Sequence, residues 1–208
     1  MNSREAISRA LALNNVSIDP EALDRITAYA DYLLEWNERI NLISRASLEN
    51  VASHHIADSV LAARLLPAAS RITDLGTGGG LPGIVISILA PETEVILCDT
   101  KAKKINFLNT CVRDLNLPHT RVHDAAQTAP EKTSEILVCR AFATLDKILR
   151  EGKKYLRPGG RIYAFKGRMA TVQEELKALP KKTRYETLAY SLETPGESHE
   201  RTLVIITT

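Results

Sequence analysis

Apolar positions recur every three or four residues through roughly the first seventy positions of the chain, then fall into short unbroken runs. The first pattern predicts helices. Leu23, Ile26, Ala30 and Leu33 form one stripe, and Tyr29, Tyr32, Trp36 and Ile40 a second. A helix apolar on two sides packs against another element, so these aromatics read as core. Asp19-Pro20-Glu21 predicts its start: Asp19 can accept from a free backbone N–H, and Pro20 suits the first helical position. Ser53 is expected to cap another helix that ends before Pro67.

From Arg71 the pattern predicts alternating strands and helices. Ile72 to Leu75, Glu94 to Asp99, Thr120 to His123 and Ile136 to Cys139 read as strands. Helices are expected near Pro82 to Leu89, over Lys101 to Asn116 and over Asp146 to Tyr155. Pro158-Gly159-Gly160 predicts a turn before a strand from Arg161 to Lys166. Tyr185 to Ser191 and Thr202 to Thr207 flank Thr194-Pro195-Gly196 and predict a closing strand pair. The expected architecture is α/β: a mostly parallel sheet with helices on both faces over 71–208, and an N-terminal helical extension over 1–70. A ligand should lie outside the carboxyl ends of the strands.

Composition narrows the class. With 208 residues, 44% hydrophobic and 25% charged, the chain suits one compact unit and excludes disorder, collagen and coiled coil. It is long enough to bury about 70% of its unfolded surface without a metal or disulfide staple. The longest apolar stretch, Leu81 to Ala90, is half the length of a membrane span and carries Pro82, Gly83 and Ser87. No signal peptide is read at the N-terminus, where Arg4, Glu5 and Arg9 are mixed. Cys98, Cys111 and Cys139 are an odd, widely spaced set, which implies a reducing cytoplasmic setting and no metal site, and Cys98 and Cys139, in apolar strand-like runs, read as buried thiols. The net charge of +2 does not announce a nucleic-acid partner, although a local basic face would suffice for one.

The chemistry concentrates in Asp74-Leu75-Gly76-Thr77-Gly78-Gly79-Gly80-Leu81-Pro82-Gly83. Five glycines in eight residues, between a strand and a helix, let a ligand approach the main chain. Gly78, Gly80 and Gly83 satisfy the dinucleotide spacing G-x-G-x-x-G, which leaves an NAD-dependent oxidoreductase open. Asp74 points instead to S-adenosylmethionine (SAM): an acid at the strand end repels a pyrophosphate and favours a sulfonium and an amino group. Asp99 ends the next strand, where a carboxylate can accept both ribose hydroxyls, cap the following helix, or do both.

Further motifs place the chain beside a known family. Leu34-Glu35-Trp36-Asn37 with Asn41-Leu42, His55-Ile56-Ala57-Asp58-Ser59, the glycine loop with its Gly-Leu-Pro-Gly ending, Leu97-Cys98-Asp99 with Lys103-Lys104, Arg140-Ala141-Phe142-Ala143-Thr144-Leu145 and Lys166-Gly167 occur in that order. The sequence closely resembles the bacterial 16S rRNA guanine-N7 methyltransferases of the GidB (RsmG) family. That resemblance implies a Rossmann-like class I SAM-dependent methyltransferase fold with seven strands, the last inserted antiparallel. It implies methylation of one guanine in the decoding-region loop of the small ribosomal subunit. It also implies that Gly76 and Leu81 line the SAM pocket with Thr77 and Gly78 beside them, that Asp99 holds the ribose, that Ala125-Ala126 lie beside the adenine, and that Arg140 sits near the methionine end. The family often carries Glu where Ala126 stands.

Guanine N7 presents an in-plane lone pair, so the reaction needs no strong general base, only alignment and exclusion of water. No catalytic base is therefore assigned. His55 and Asp58, three apart on one expected helix face, are candidates to orient the base together with Arg140. Phosphate contacts are expected from Lys103, Lys104, Lys166 and Arg168, with Arg39, Arg45 and Lys101 as further basic candidates. The small ribosomal subunit or its 16S rRNA is the expected partner, without a membrane, and the chain is expected to act as a monomer.

Overall fold

The computed structural model describes residues 2–44 and 47–208. The helices are α1 (Ser3–Leu13), α2 (Pro20–Asn37), α3 (Leu48–Asn50), a π-helical stretch (Val51–Ile56), α4 (Ala57–Arg64), α5 (Gly83–Leu89), α6 (Ala102–Asp114), α7 (Leu145–Gly152) and α8 (Met169–Lys177). The strands are β1 (Arg71–Leu75), β2 (Glu94–Asp99), β3 (Thr120–Asp124), β4 (Ser134–Arg140), β5 (Leu156–Lys166), β6 (Arg184–Thr194) and β7 (Glu197–Thr207).

The strands form one sheet in the order β3-β2-β1-β4-β5-β7-β6. β1 to β5 run parallel, and β7 enters antiparallel to both β5 and β6. A dinucleotide-binding sheet instead runs 3-2-1-4-5-6. Two apolar layers hold the sheet. One joins Ile72, Leu97, Phe165 and Leu203 to α1, α2, the π-helical stretch, α4, α5 and α6. The other joins Leu137, Ile162, Val204 and Ile206 to α7 and α8. The N-terminal helices thus share a core with the sheet. Tyr29 is fully buried in α2, as its stripe predicts, and Asp19 accepts from the Glu21 N–H at 2.8 Å as the expected cap.

Three local expectations are corrected. Ser53 caps nothing: it lies inside the π-helical stretch and its hydroxyl donates to the Glu49 carbonyl, while Ser47 caps α3. Pro158-Gly159-Gly160 lies within β5, as an irregularity in its pairing with β4, with Gly159 at φ +78. The segment after Arg168, for which no element is expected, forms α8, whose amphipathic residues bury only Val172 completely against the second layer.

Candidate active site: two cavities at the carboxyl edge of the sheet

The register brings Leu75, Asp99, Asp124, Arg140 and Lys166 to one edge, each at the carboxyl end of its strand. The glycine loop leaves that edge after β1. The N–H groups of Gly76 and Thr77 both donate to the Cys98 carbonyl, which turns the chain sharply between β1 and β2. Gly76, at φ +70, has no room for a side chain: a Cβ there would lie 2.1 Å from the Phe142 ring. From the other side, the Tyr29 hydroxyl donates to the Gly79 carbonyl at 2.6 Å, so α2 fixes the crest of the loop.

Asp74 has a different place from the one its sequence position suggests. It is fully buried and lines neither of the cavities at this edge. Its Oδ2 accepts from the Thr77 hydroxyl at 2.6 Å and from the Gly83 N–H at 2.8 Å. Burial pushes its carboxyl up to about 6, against the pull of those two hydrogen bonds and of Arg140. Asp74 therefore organises the loop. It also occupies the N-terminus of α5, where a pyrophosphate would need free N–H groups. Together with the sheet order, this removes the NAD reading.

One cavity, of about 420 Å³, opens beside Gly76, Asp99, Lys101, Lys104, Ala125, Phe142 and Tyr155. Asp99 is nearly buried, and its Oδ1 accepts from the N–H groups of Thr100 and Lys101 while Oδ2 accepts from Gly78. Three of roughly four lone-pair positions are thus used within the protein. The expectation of both ribose hydroxyls is too generous: one position remains unless Gly78 lets go. Thr77, Gly78, Leu81 and Ala126 do not line this cavity. Leu81 is buried in the core, and the Ala126 N–H is already given to Asp124. The size lies in the usual range for a ligand site. The donors also fit SAM: a ribose acceptor in Asp99, cations in Lys101 and Lys104 for a carboxylate, and at Gly76 a backbone free of Cβ.

A second cavity, of about 710 Å³, lies across Ala141, the one residue lining both among the described residues. His54, His55, Asp58, Arg140, Lys166, Glu175, Tyr190 and Arg201 surround it. His55 and Asp58 meet through Arg140. Arg140 donates to Asp58 Oδ2 at 3.0 Å and faces His55 Nδ1 at 3.5 Å. Arg201, from β7, reaches Asp58 Oδ1 at 3.4 Å, so one buried carboxylate holds two guanidinium groups. Burial, helped by the Arg140 charge, holds His55 down to about 4, so its ring is neutral at pH 7.

The sequence-based RNA candidates divide. Lys103 and Arg168 are exposed, and Lys104 lines the first cavity. Lys166 is turned inward, paired with Glu175 at 2.8 Å and donating to the Ala143 carbonyl at 2.9 Å. Arg39 is exposed and pairs with Glu35, and Arg45 lies outside the described residues. Arg201, Tyr190, Glu175 and Phe142 carry no role in the sequence reading. The first three sit in the last forty residues, where no local motif marks them, and only the hairpin brings Arg201 to Asp58. A further cavity, of about 590 Å³, lies at the opposite edge beside Ile72, Ile86 and Leu89, away from the glycine loop.

The strand order, the antiparallel β7 and the glycine loop beside paired cavities make this a class I SAM-dependent methyltransferase fold. Solved structures share it: P. horikoshii TYW2 in complex with MeSAdo (TM-score 0.57, 13% identity, 74% of this chain and 62% of that one) and a putative O-methyltransferase from Klebsiella pneumoniae (TM-score 0.55, 15% identity, 93% and 92%). Residues 22–204 match the family described as rRNA small subunit methyltransferase G, GidB. Curated relatives named ribosomal RNA small subunit methyltransferase G are 35% identical over 212 residues in Ralstonia nicotianae (97% of this chain, 92% of that one) and 34% over 202 residues in Escherichia fergusonii (96% of each). The chain belongs to the GidB family of rRNA small subunit methyltransferases.

Proposed function

We propose that this protein transfers the methyl group of SAM to N7 of a single guanine in the decoding-region loop of 16S rRNA. The observation that carries this reading is the pair of cavities meeting at Ala141, one suited to SAM and the other ringed by Arg140, Asp58 and Arg201. When bound, SAM supplies an electrophilic methyl group, which the N7 lone pair takes as the thioether leaves. Arg140, clamped by Asp58, stands where the two cavities join and holds an always-charged fork toward the incoming nucleotide. His55 stays neutral at pH 7, with Nδ1 facing that fork at 3.5 Å, and so has no imidazolium proton to deliver. N7 carries no proton to remove, so the transfer requires no base. Exposed Lys103 and Arg168 would approach phosphates, and binding would then weaken steeply with salt.

The test is transfer of a labelled methyl group from SAM to small ribosomal subunits from a strain lacking this enzyme, with the label mapped along the RNA. Label at one guanine N7 in the decoding-region loop is the expected result. Protection of the protein by SAM in a melt without any label on the RNA would retain the cofactor and overturn the acceptor.

A further inference from the structure

The segment from Ala141 to Leu145 crosses between the two cavities, and it is pinned at both ends. At its start, Arg140 is held by Asp58. At its end, Lys166 Nζ donates to the Ala143 carbonyl at 2.9 Å, and the Leu145 N–H donates to Glu175 Oε2 at 2.9 Å. Lys166 and Glu175 pair with each other at 2.8 Å, with side chains only 15% and 16% exposed. Between the pins, Ala141 takes φ +52, and the Phe142 ring lies against Gly76 in the space a Cβ would fill. Lys147 Nζ stands 5.9 Å from the centre of that ring.

We infer that Lys166 and Glu175 are positioning residues for methyl transfer: they fix the strap so that Phe142 walls the cofactor cavity at Gly76, next to Ala141 where the two cavities meet. This rests on the methyltransferase reading above. Lys166 sits at the end of a strand on the ligand-facing edge, where a lysine would ordinarily be read as a phosphate contact. Two of its three N–H donors are spent inside the protein, on a carboxylate and on the strap itself. A residue so held acts through the strap. Its loss moves the wall against which the reacting centre is aligned, and misplacement on the order of 1 Å costs roughly 100-fold in rate.

The experiment compares wild type with Lys166→Met, the Lys166→Met/Glu175→Gln double variant and Phe142→Leu. The double variant keeps an acceptor for the Leu145 N–H and strands no charge, so it covers the case in which the single variant does not fold. Three quantities are read: single-turnover methylation at saturating RNA, the salt dependence of RNA binding by the free enzyme, and amide exchange at Leu145. The expected result is a roughly 10- to 100-fold slower transfer in every variant. The salt slope should stay unchanged, and Leu145 should exchange faster once Lys166 is lost. A salt slope reduced by about one unit with transfer intact would make Lys166 a phosphate contact and overturn the inference. So would normal transfer in Phe142→Leu. Failure of the wild type itself to transfer a methyl group would instead strike the underlying reading.

Discussion

The two cavities meet at Ala141 and are built in opposite ways. The one beside Gly76 is made largely where the chain leaves the ends of β1, β2, β3 and β4, and the glycine-loop side of it is shaped by backbone: the sharp turn at Gly76, the Cys98 carbonyl taking two N–H groups, and Asp99 bracing Gly78. The one beside Arg140 is made by side chains from the π-helical stretch, α4, β4, β5, α8 and the β6–β7 hairpin, and its shape comes from charge. A backbone site tolerates changes of side chain but not of main-chain path. A site of interlocked charges tolerates neither the loss of one partner nor a displaced strand.

The largest effect should come from the charged side. Asp58→Ala would leave the partly buried Arg140 and Arg201 facing each other without their shared carboxylate, which is expected to cost about 3 kcal/mol in urea unfolding. A loss of under about 1 kcal/mol, the worth of an exposed ion pair, would show that the cluster is solvated and the contrast overstated.

Gly76→Ala tests the backbone side. The left-handed φ costs about 1–2 kcal/mol, and the contact with Phe142 adds about 1–3 kcal/mol. Isothermal titration should show SAM binding greatly weakened, and Phe142→Ala should restore part of it. Wild-type affinity in the single variant would mean that the loop and the ring are not coupled.

The two sides should also respond oppositely to acid. His55 is held down to about 4 against an ordinary 6.5, so between these values the unfolded chain takes up a proton that the folded chain refuses. Its contribution to stability therefore rises with pH across that window. Asp74 is pushed up to about 6 from 3.8, so the folded chain protonates first and its contribution falls as pH rises from about 4 to 6. His55→Gln removes the first of these effects and leaves that of Asp74 in place. The melting temperature of this variant relative to wild type should climb as pH drops from 6.5 to 4, and a constant difference would contradict the buried, neutral histidine.

The smallest effect is expected at Lys103, which is exposed and stands outside both cavities. Lys103→Ala should reduce RNA affinity a few-fold and lower the salt slope by about 0.7–0.9, measured by filter binding across a salt series. A turnover defect at saturating RNA would bring it into the site.

Much of the first cavity is legible in the sequence because its parts mark strand ends: Gly76, Asp99 and Ala125 each end or directly follow a strand that the apolar runs predict. What misled there was Asp74. Its position was read correctly, but whether a carboxylate faces a ligand or its own loop depends on Thr77 and Gly83 folding back onto it. In the second cavity His55, Asp58 and Arg140 were candidates, yet their link was expected along a helix face and runs instead through Arg140 from another strand. Lys166 was expected at the surface and is tied to α8, an element the pattern did not show.

By itself the sequence determined the alternation of strands and helices from β1 to β5, the glycine loop, the helix start at Pro20 and the closing hairpin, because hydrophobic period, capping and turn chemistry act over a few residues. Tertiary structure alone decided that α2 crowns the loop through Tyr29, that β7 slips between β5 and β6, and that Arg201 and Arg140 share Asp58 across 143 and 82 residues of chain. Such pairings depend on which apolar faces bury each other, and a charge finds its partner only after that burial has brought the two together.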